Sequence, residues 1–360
     1  MTQDDASIPL DHYRNAQQIA FAPLTFQAAR VALERGVLAA VEKSRKRGIT
    51  IAEVAEAAGL ERYAVRVLLE GCLSLDLVSY EPTERSEHGA EGRYRLTLSG
   101  KLMLHDPLVG INMRFVHDVC YRGAFDLERA IDEKRPAGLE VFGSWPTIYA
   151  GLSELPVQVK KSWFDFDHVY SDGVFPVVAK QVLGARPKNL LDVGGNTGKW
   201  AVLCTGLDPD LRITILDHPG QLAVATRNAH EAGCADRIGA HPIDLLDHTQ
   251  PFPLGYDAVW MSQCLDCFSE ADIVEILRRG RAALAPGGVL YVLESFWDRQ
   301  ASEIGRNAVT ALSLYFTCMA NGTSRMYHSD DLRQCVEAAG LVLGSETELG
   351  SHTLFSCTAA

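Results

Sequence analysis

Apolar positions along the chain change their spacing twice. From Phe21 to Val41 they recur around most of a helical circumference, with Phe21, Leu24, Phe26, Ala29, Val31, Leu33, Val37, Leu38 and Val41 all apolar. That pattern predicts a buried helix, of the kind that often packs on another subunit. Thr50 with Glu53 reads as a capping box for a helix over Ile51–Ala58, which Gly59 ends. Val65, Leu68, Leu69 and Leu73 form one stripe of the next helix, over Arg62–Leu77. Short strands follow at Leu77–Tyr80 and Tyr94–Thr97, around a polar loop spanning Glu81–Gly92. Helix–turn–helix followed by a two-stranded wing predicts a winged-helix unit. Residues 105–185 read as helical, and their density of aromatics suits either packing or the walls of a flat apolar pocket.

From Asn189 onward strands and helices alternate. Strands are expected at Asn189–Val193, Arg212–Leu216, Ile238–Pro242, Ala258–Ser262 and Val289–Leu293. Helices are expected to begin near Gly198, Gly220, Glu270 and His328. Pro286-Gly-Gly288 reads as a tight turn before the fifth strand. Segments at Gly340–Glu346 and His352–Cys357 read as an antiparallel pair at the sheet edge. The predicted fold class is α/β, a doubly wound Rossmann-like sheet with that C-terminal pair, plus a helical winged-helix N-terminal domain. The expected domains are 1–104, a dimerisation unit; 105–185, a helical substrate-pocket region; and 186–360, a cofactor-binding domain.

The run Asn189-Leu-Leu-Asp-Val-Gly-Gly-Asn-Thr-Gly-Lys-Trp200 carries the chemistry. It is a buried strand breaking into a glycine turn that opens a helix. Gly194, Gly195 and Gly198 lack Cβ atoms, so the backbone bends sharply and comes close to a ligand. Asp217 ends the next strand, where a carboxylate accepts hydrogen bonds from both hydroxyls of a ribose. A nicotinamide dinucleotide and S-adenosylmethionine both fit a glycine turn with a distal acid. Asp192, two residues before the first glycine, suits the ammonium of S-adenosylmethionine or a water bound to it.

On Leu191-Asp-Val-Gly-Gly-x-x-Gly198, Leu216-Asp-His-Pro219, Ile243-Asp-Leu245 and Pro286-Gly-Gly-Val-Leu-Tyr-Val-Leu-Glu294, the chain resembles the class I S-adenosylmethionine-dependent small-molecule O-methyltransferases with an N-terminal winged-helix dimerisation domain. The resemblance spans nearly the whole chain. It implies that Asp192, Gly194, Gly195, Asn196 and Gly198 surround the methionine part of the cofactor. Asp217 and His218 then lie at the ribose, Asp244 and Leu245 beside the adenine, and Ser262 and Gln263 complete the cofactor-binding set. It also implies a homodimer and a small, aromatic, hydroxylated acceptor. Methyl transfer to oxygen is the family's default, with ring-carbon transfer as a variant.

One departure bears on mechanism. The family's general base is a histidine after the fourth strand; here that position falls on Asp266, within Cys264-Leu-Asp-Cys-Phe268. The usual lysine falls on Ser262 and a second acid falls on Ser324, so Glu294 alone remains of the customary surround. A phenol near pKa ~10 is better served by an imidazole near ~6.5 than by an unshifted carboxylate near ~3.9. Asp266 therefore needs burial to act as a base; otherwise it caps the helix that follows. His168, His117 and His328 are further candidates. The alternative function is a protein of the same fold that binds S-adenosylmethionine without methylating, or that uses it for another reaction.

Composition narrows the partners. The formal charge of −12 over 360 residues disfavours nucleic acid and anionic membrane surfaces. No apolar run approaches the ~18 residues of a membrane span. Nine scattered cysteines and no secretory leader point to a reducing cytoplasm. The Cys264–Cys267 spacing has no second ligand pair, so no metal is expected.

Overall fold

The computed structural model describes residues 9–82 and 92–360, so most of the loop expected over Glu81–Gly92 lies outside the described residues. The chain divides after Arg114 into two units.

The first unit contains α1 (Leu10–Glu34), α2 (Val37–Lys43), α3 (Ile51–Ala58), α4 (Arg62–Ser74), β1 (Val78–Pro82), β2 (Gly92–Leu96), α5 (Leu98–His105) and all but the last residue of α6 (Pro107–Phe115). The helix expected over Phe21–Val41 is in fact two. Gly36 adopts a left-handed backbone, φ 74°, and divides α1 from α2. Nor is it buried all round. Ala29, Ala32, Val37, Leu38 and Val41 enter the core, whereas Phe21 and Leu24 are 55% and 71% exposed in the single chain. The capping box at α3 forms as expected: Thr50 N donates to Glu53 Oε2 at 2.8 Å, and Glu53 N donates to Thr50 Oγ1 at 3.3 Å. α4 ends at Ser74, three residues before the expected Leu77. Asp76 turns left-handed at φ 55° and donates to Leu73 O, while Leu77 N donates back to Cys72 O, which closes a Schellman motif. β1 and β2 pair antiparallel, with Val78 opposite Leu96.

The second unit opens with a π-helical turn over Val116–Cys120, then α7 (Leu127–Glu133), α8 (Ile148–Gly151), α9 (Val157–Ser171) and α10 (Phe175–Gly184). The alternating half follows: β3 (Asn189–Val193), α11 (Lys199–Leu207), β4 (Arg212–Asp217), α12 (Pro219–Glu231), β5 (Ile238–Pro242), β6 (Tyr256–Ser262), α13 (Glu270–Ala283) and β7 (Leu284–Glu294). α14 (Glu303–Tyr315), α15 (Ser329–Ala338), β8 (Leu341–Leu349) and β9 (His352–Ala359) complete it. The strands form one seven-stranded sheet in the order β5-β4-β3-β6-β7-β9-β8, parallel except for β9, which runs antiparallel to both its neighbours.

Successive side chains of a strand point to opposite faces, and both faces here are covered. Leu190, Ile213, Ile215 and Trp260 pack with Val178, Val182, Trp200 and Ala201 from α10 and α11. Leu191, Val193, Val259 and Met261 pack on the other side with Ile273, Ile276 and Leu277 of α13 and Leu332 and Val336 of α15. The turn expected at Pro286–Gly288 lies inside β7 instead. Gly287 takes φ 80°, and the ladder with β6 shifts register between Tyr256 and Ala258, so the strand bends without stopping. The C-terminal pair forms as expected, with β8 outermost and β9 against β7.

A third cluster gathers the aromatic segment. Phe115 stacks on Phe166 at 3.8 Å between ring centres, and Trp163 Nε1 donates to Tyr315 Oη at 2.7 Å. Many of the aromatics before α10 are therefore packed on one another.

Candidate cofactor and acceptor site

Strand order reverses between β3 and β6, because β4 and β5 lie to one side and β7 to the other. In such sheets the crevice beyond the strand ends at the reversal is where ligands bind. Val193 and Met261 pair there, and the glycine turn begins at the next residue of β3.

Three left-handed residues shape that turn: Gly194 at φ 72°, Asn196 at φ 50° and Gly198 at φ 76°. Asparagine tolerates this conformation better than most residues, so the turn keeps its form at position 196. Glycine at 195 is required by space. A Cβ there would stand 2.6 Å from Asp192 Oδ2 and 2.7 Å from Ile215 Cγ2. The turn is anchored by Gly194 N, which donates to Leu216 O, and by Asn228 Nδ2, which donates to Thr197 O at 2.8 Å.

Asp217 sits across from it. Its two oxygens accept the amide hydrogens of Asn196, at 2.8 Å, and of His218, at 2.7 Å. Each oxygen retains a free lone pair, which is what two ribose hydroxyls require. Burial raises the Asp217 carboxyl against the pull of those two amides. Asp192 lies under the turn, 2% exposed, and its Oδ2 has no partner. Burial, and then the charge of Asp217, push its pKa up to about 8. A buried carboxylate oxygen left without a donor is costly, and an ammonium or a bound water satisfies it. These residues fit S-adenosylmethionine in its nucleoside and its amino-acid part.

A small opening lies beside the turn, walled by Asp192, Asn196, Trp200, Trp260, Phe175 and Gln263 among others. Trp200 and Trp260 stack at 4.0 Å, which fixes its apolar floor. Ser262 Oγ and Gln263 Nε2 are both buried and unpartnered. Gln263 is itself left-handed, φ 47°, at the end of β6. Strained backbone of this kind concentrates at ligand sites. Asp244 and Leu245 lie farther along. Asp244 is exposed and accepts the amide hydrogen of Leu246, whereas Leu245 is buried.

Asp266 occupies a short 3₁₀ turn, Leu265–Cys267, after β6 and is 8% exposed. Glu294, at the end of β7, holds that turn: its Oε1 accepts the amide hydrogens of Cys264 at 3.0 Å and Leu265 at 2.8 Å. Cys267 Sγ contacts Asp266 Oδ1 at 3.4 Å. Burial pushes Asp266 up to about 6. Burial, and then the charge of Asp266, push Glu294 well above the carboxylate range. Burial thus favours the protonated form of both carboxyls, and the charge on either one opposes ionisation of the other. Asp266 does not cap α13; Ser269 does, its side chain accepting from Asp272 N.

The candidate histidines part ways. His168, on α9, faces the glycine turn, with Nε2 3.4 Å from Thr197 Oγ1 and the ring beside Phe164. Burial lowers it to about 4, so it is neutral at pH 7. His328 caps α15, its Nδ1 accepting from Asp330 N at 3.1 Å. His117 lies in the π-helical turn near Tyr121. Ser324 is buried, and its hydroxyl has no partner. Sequence reasoning places Asp167 only among the polar residues interleaved in the aromatic segment, not at the glycine turn. Its Oδ2 accepts from Asn196 Nδ2 at 3.0 Å, which ties α9 to the glycine turn. The signal was present: Asp167-His168 is a polar pair inside an aromatic helix.

Comparison with known proteins agrees with this geometry. The Dimerisation2-like domain family matches residues 13–85, and the O-methyltransferase domain family matches residues 164–341. The chain is 25% identical to an L-tyrosine C(3)-methyltransferase of Streptomyces lavendulae, over 89% of this chain and 85% of that protein. It is 25% identical to a 3-amino-4-hydroxybenzoate 4-O-methyltransferase of Streptomyces cremeus, over 91% and 84% respectively. Among solved structures, the S-adenosylmethionine-dependent methyltransferase SibL in its apo form is 25% identical, with a TM-score of 0.67 over 95% of this chain and 98% of that one. The chain therefore belongs to the S-adenosylmethionine-dependent small-molecule O-methyltransferase family and is a methyltransferase that uses S-adenosylmethionine.

Proposed function

We propose that the acceptor is a phenolic hydroxyl, or the ring carbon beside one, and that Asp266 is the base. The observation that carries this reading is the burial of Asp266, which raises its pKa to about 6 and brings a carboxylate close to the range of an imidazole. Glu294 fixes the turn that presents it. S-adenosylmethionine supplies an electrophilic methyl group with a good leaving group. The protein aligns the acceptor and removes or holds its proton. For a ring carbon, the same base need only favour the phenolate, since charge then develops on the carbon beside it. Asp192, the glycine turn and Asp217 hold the cofactor, with His218, Asp244, Leu245, Ser262 and Gln263 around it. His168 borders it as a neutral donor or acceptor.

In this reading residues 186–360 bind the cofactor, 105–185 wall the acceptor side, and 1–104 form a winged-helix unit that pairs two chains. Exposed Leu10, Ile19, Phe21 and Leu24 on α1 support that pairing, and burial against a second chain would cover them. The nine unpaired cysteines suit a reducing compartment such as the cytoplasm. Incubation with methyl-labelled S-adenosylmethionine and a panel of phenols tests the function. Labelled product with matching S-adenosylhomocysteine supports it; cofactor binding without transfer to any phenol counts against it. Sedimentation tests the pairing, and a monomer at micromolar concentration contradicts it.

A further inference from the structure

The loop after β5, residues 244–252, starts beside the ribose acid: Ile243 N donates to Asp217 O at 3.1 Å. It is a run of tight turns. Asp247 N donates to Asp244 O, His248 N to Leu246 O and Gln250 N to Asp247 O, each at 3.1 Å. Such turns fix the loop's own shape but not its place against the sheet.

One side chain supplies that place. Arg279, on α13, is half-buried and pairs with no carboxylate among the described residues. Its Nη1 donates to Asp247 O and Gln250 O, both at 3.3 Å. Its Nη2 donates to Leu245 O and to His248 Nδ1. Its Cζ stands 4.7 Å from the centre of the buried Phe252 ring. An arginine only donates, so His248 Nδ1 accepts, and His248 Nε2 carries the proton that bonds Asp272 Oδ1 at 2.9 Å. The loop is thus tied to α13 at two places. Only a planar fork reaches carbonyls of three loop residues at once.

The peptide joining Leu245 to Leu246 is gripped from both sides. Arg279 holds its C=O, and Asp244 Oδ1 accepts its N–H at 3.0 Å. That grip fixes the Asp244 carboxylate and the Leu245 side chain relative to each other.

We propose that Arg279 is a positioning residue for the cofactor's base: through the Leu245–Leu246 peptide it aims Asp244 and Leu245 at the adenine and sets the preference for that base. This rests on the reading that puts Asp244 and Leu245 beside the adenine. A carboxylate accepts from the exocyclic amino group of adenine. The oxo group of hypoxanthine at the same position only accepts, so a fixed Asp244 separates the two bases and a loose one separates them less. Arg279 acts through the loop and not on the cofactor itself.

The test is calorimetry on the full chain with S-adenosylhomocysteine and S-inosylhomocysteine, for wild type, R279A, R279K and D244N, with thermal melting alongside. Wild type should favour the adenosyl ligand. R279A should bind it about tenfold more weakly, the loss expected for a hydrogen bond to a charged group, and the ratio between the two ligands should shrink. R279K keeps the charge, but one nitrogen cannot hold the carbonyls of Leu245, Asp247 and Gln250 together, so its ratio should shrink as well. D244N, whose amide can donate, should move the ratio toward the inosyl ligand. A lower melting temperature with an unchanged ratio would make Arg279 a structural residue only and overturn the proposal. A wild-type ratio in R279K would overturn it too, and R279K decides alone if R279A does not fold. A ratio that moves in D244N but in neither Arg279 variant sinks the positioning role and leaves the adenine reading standing. A ratio that moves in none of the three, or equal wild-type affinity for the two ligands, sinks both.

Discussion

Asp217 holds Asn196 by its backbone, the amide donating to Oδ2 at 2.8 Å. One carboxylate thus pins the left-handed corner of the glycine turn and also offers its remaining lone pairs to a ribose. D217A removes both functions at once. Hydrogen bonds to a charged group are worth about 1.5–3 kcal/mol each, so affinity for S-adenosylhomocysteine should fall at least tenfold. Calorimetry reads this, and unchanged affinity would remove Asp217 from the site.

Gly195 gives a steric counterpart. G195A places a Cβ 2.6 Å from Asp192 Oδ2, under a turn already committed to its path. The variant should keep its far-ultraviolet spectrum and lose cofactor affinity by tenfold or more. Wild-type affinity would mean that the turn moves aside freely.

Stability should depend on pH with an unusual sign. Asp266, Asp167 and Asp192 have pKa values of about 6, 7 and 8 in the folded chain, raised chiefly by burial. Unfolded, each sits near ~4. The folded state therefore binds protons more tightly, and stability present near pH 4 is lost progressively as pH rises to about 8. The ligand-free protein should melt at a lower temperature at pH 8 than at pH 5.5, and D192N should flatten that slope. A melting temperature that rises over this range would contradict the burial of these groups.

Thr50 offers a test away from the site. T50A removes the side chain that caps α3, and loss of such a cap costs about 1 kcal/mol. Denaturant unfolding of the full chain should show that loss while S-adenosylhomocysteine affinity stays unchanged.

Much of this arrangement was legible in the residues because it depends on local rules. Buried parallel strands read as apolar runs, and the glycine turn must follow one of them. The capping box at Thr50 is written in two residues. What failed was also local. A single glycine at 36 breaks a helix whose apolar pattern continues across it, and periodicity does not register φ. Gly287 was misread in the opposite sense, because β7 bends through it without stopping. The clasp between Asp167 and Asn196 depends on how α9 packs against the turn, a long-range relation that spacing does not encode. The raised pKa of Asp266 depends on burial, which only tertiary packing supplies.

The central claim is that Asp266 accepts the proton in a transfer driven by S-adenosylmethionine. Its most direct test is single-turnover transfer from methyl-labelled cofactor to a phenolic acceptor across pH 5 to 9, in wild type and in D266N. Product and S-adenosylhomocysteine should form in equal amounts. The wild-type rate should climb through a pKa near 6. D266N should bind S-adenosylhomocysteine normally and lose that limb, with a rate about 10²–10⁴-fold lower. A D266N enzyme as fast as wild type, with the same pH profile, would contradict the account.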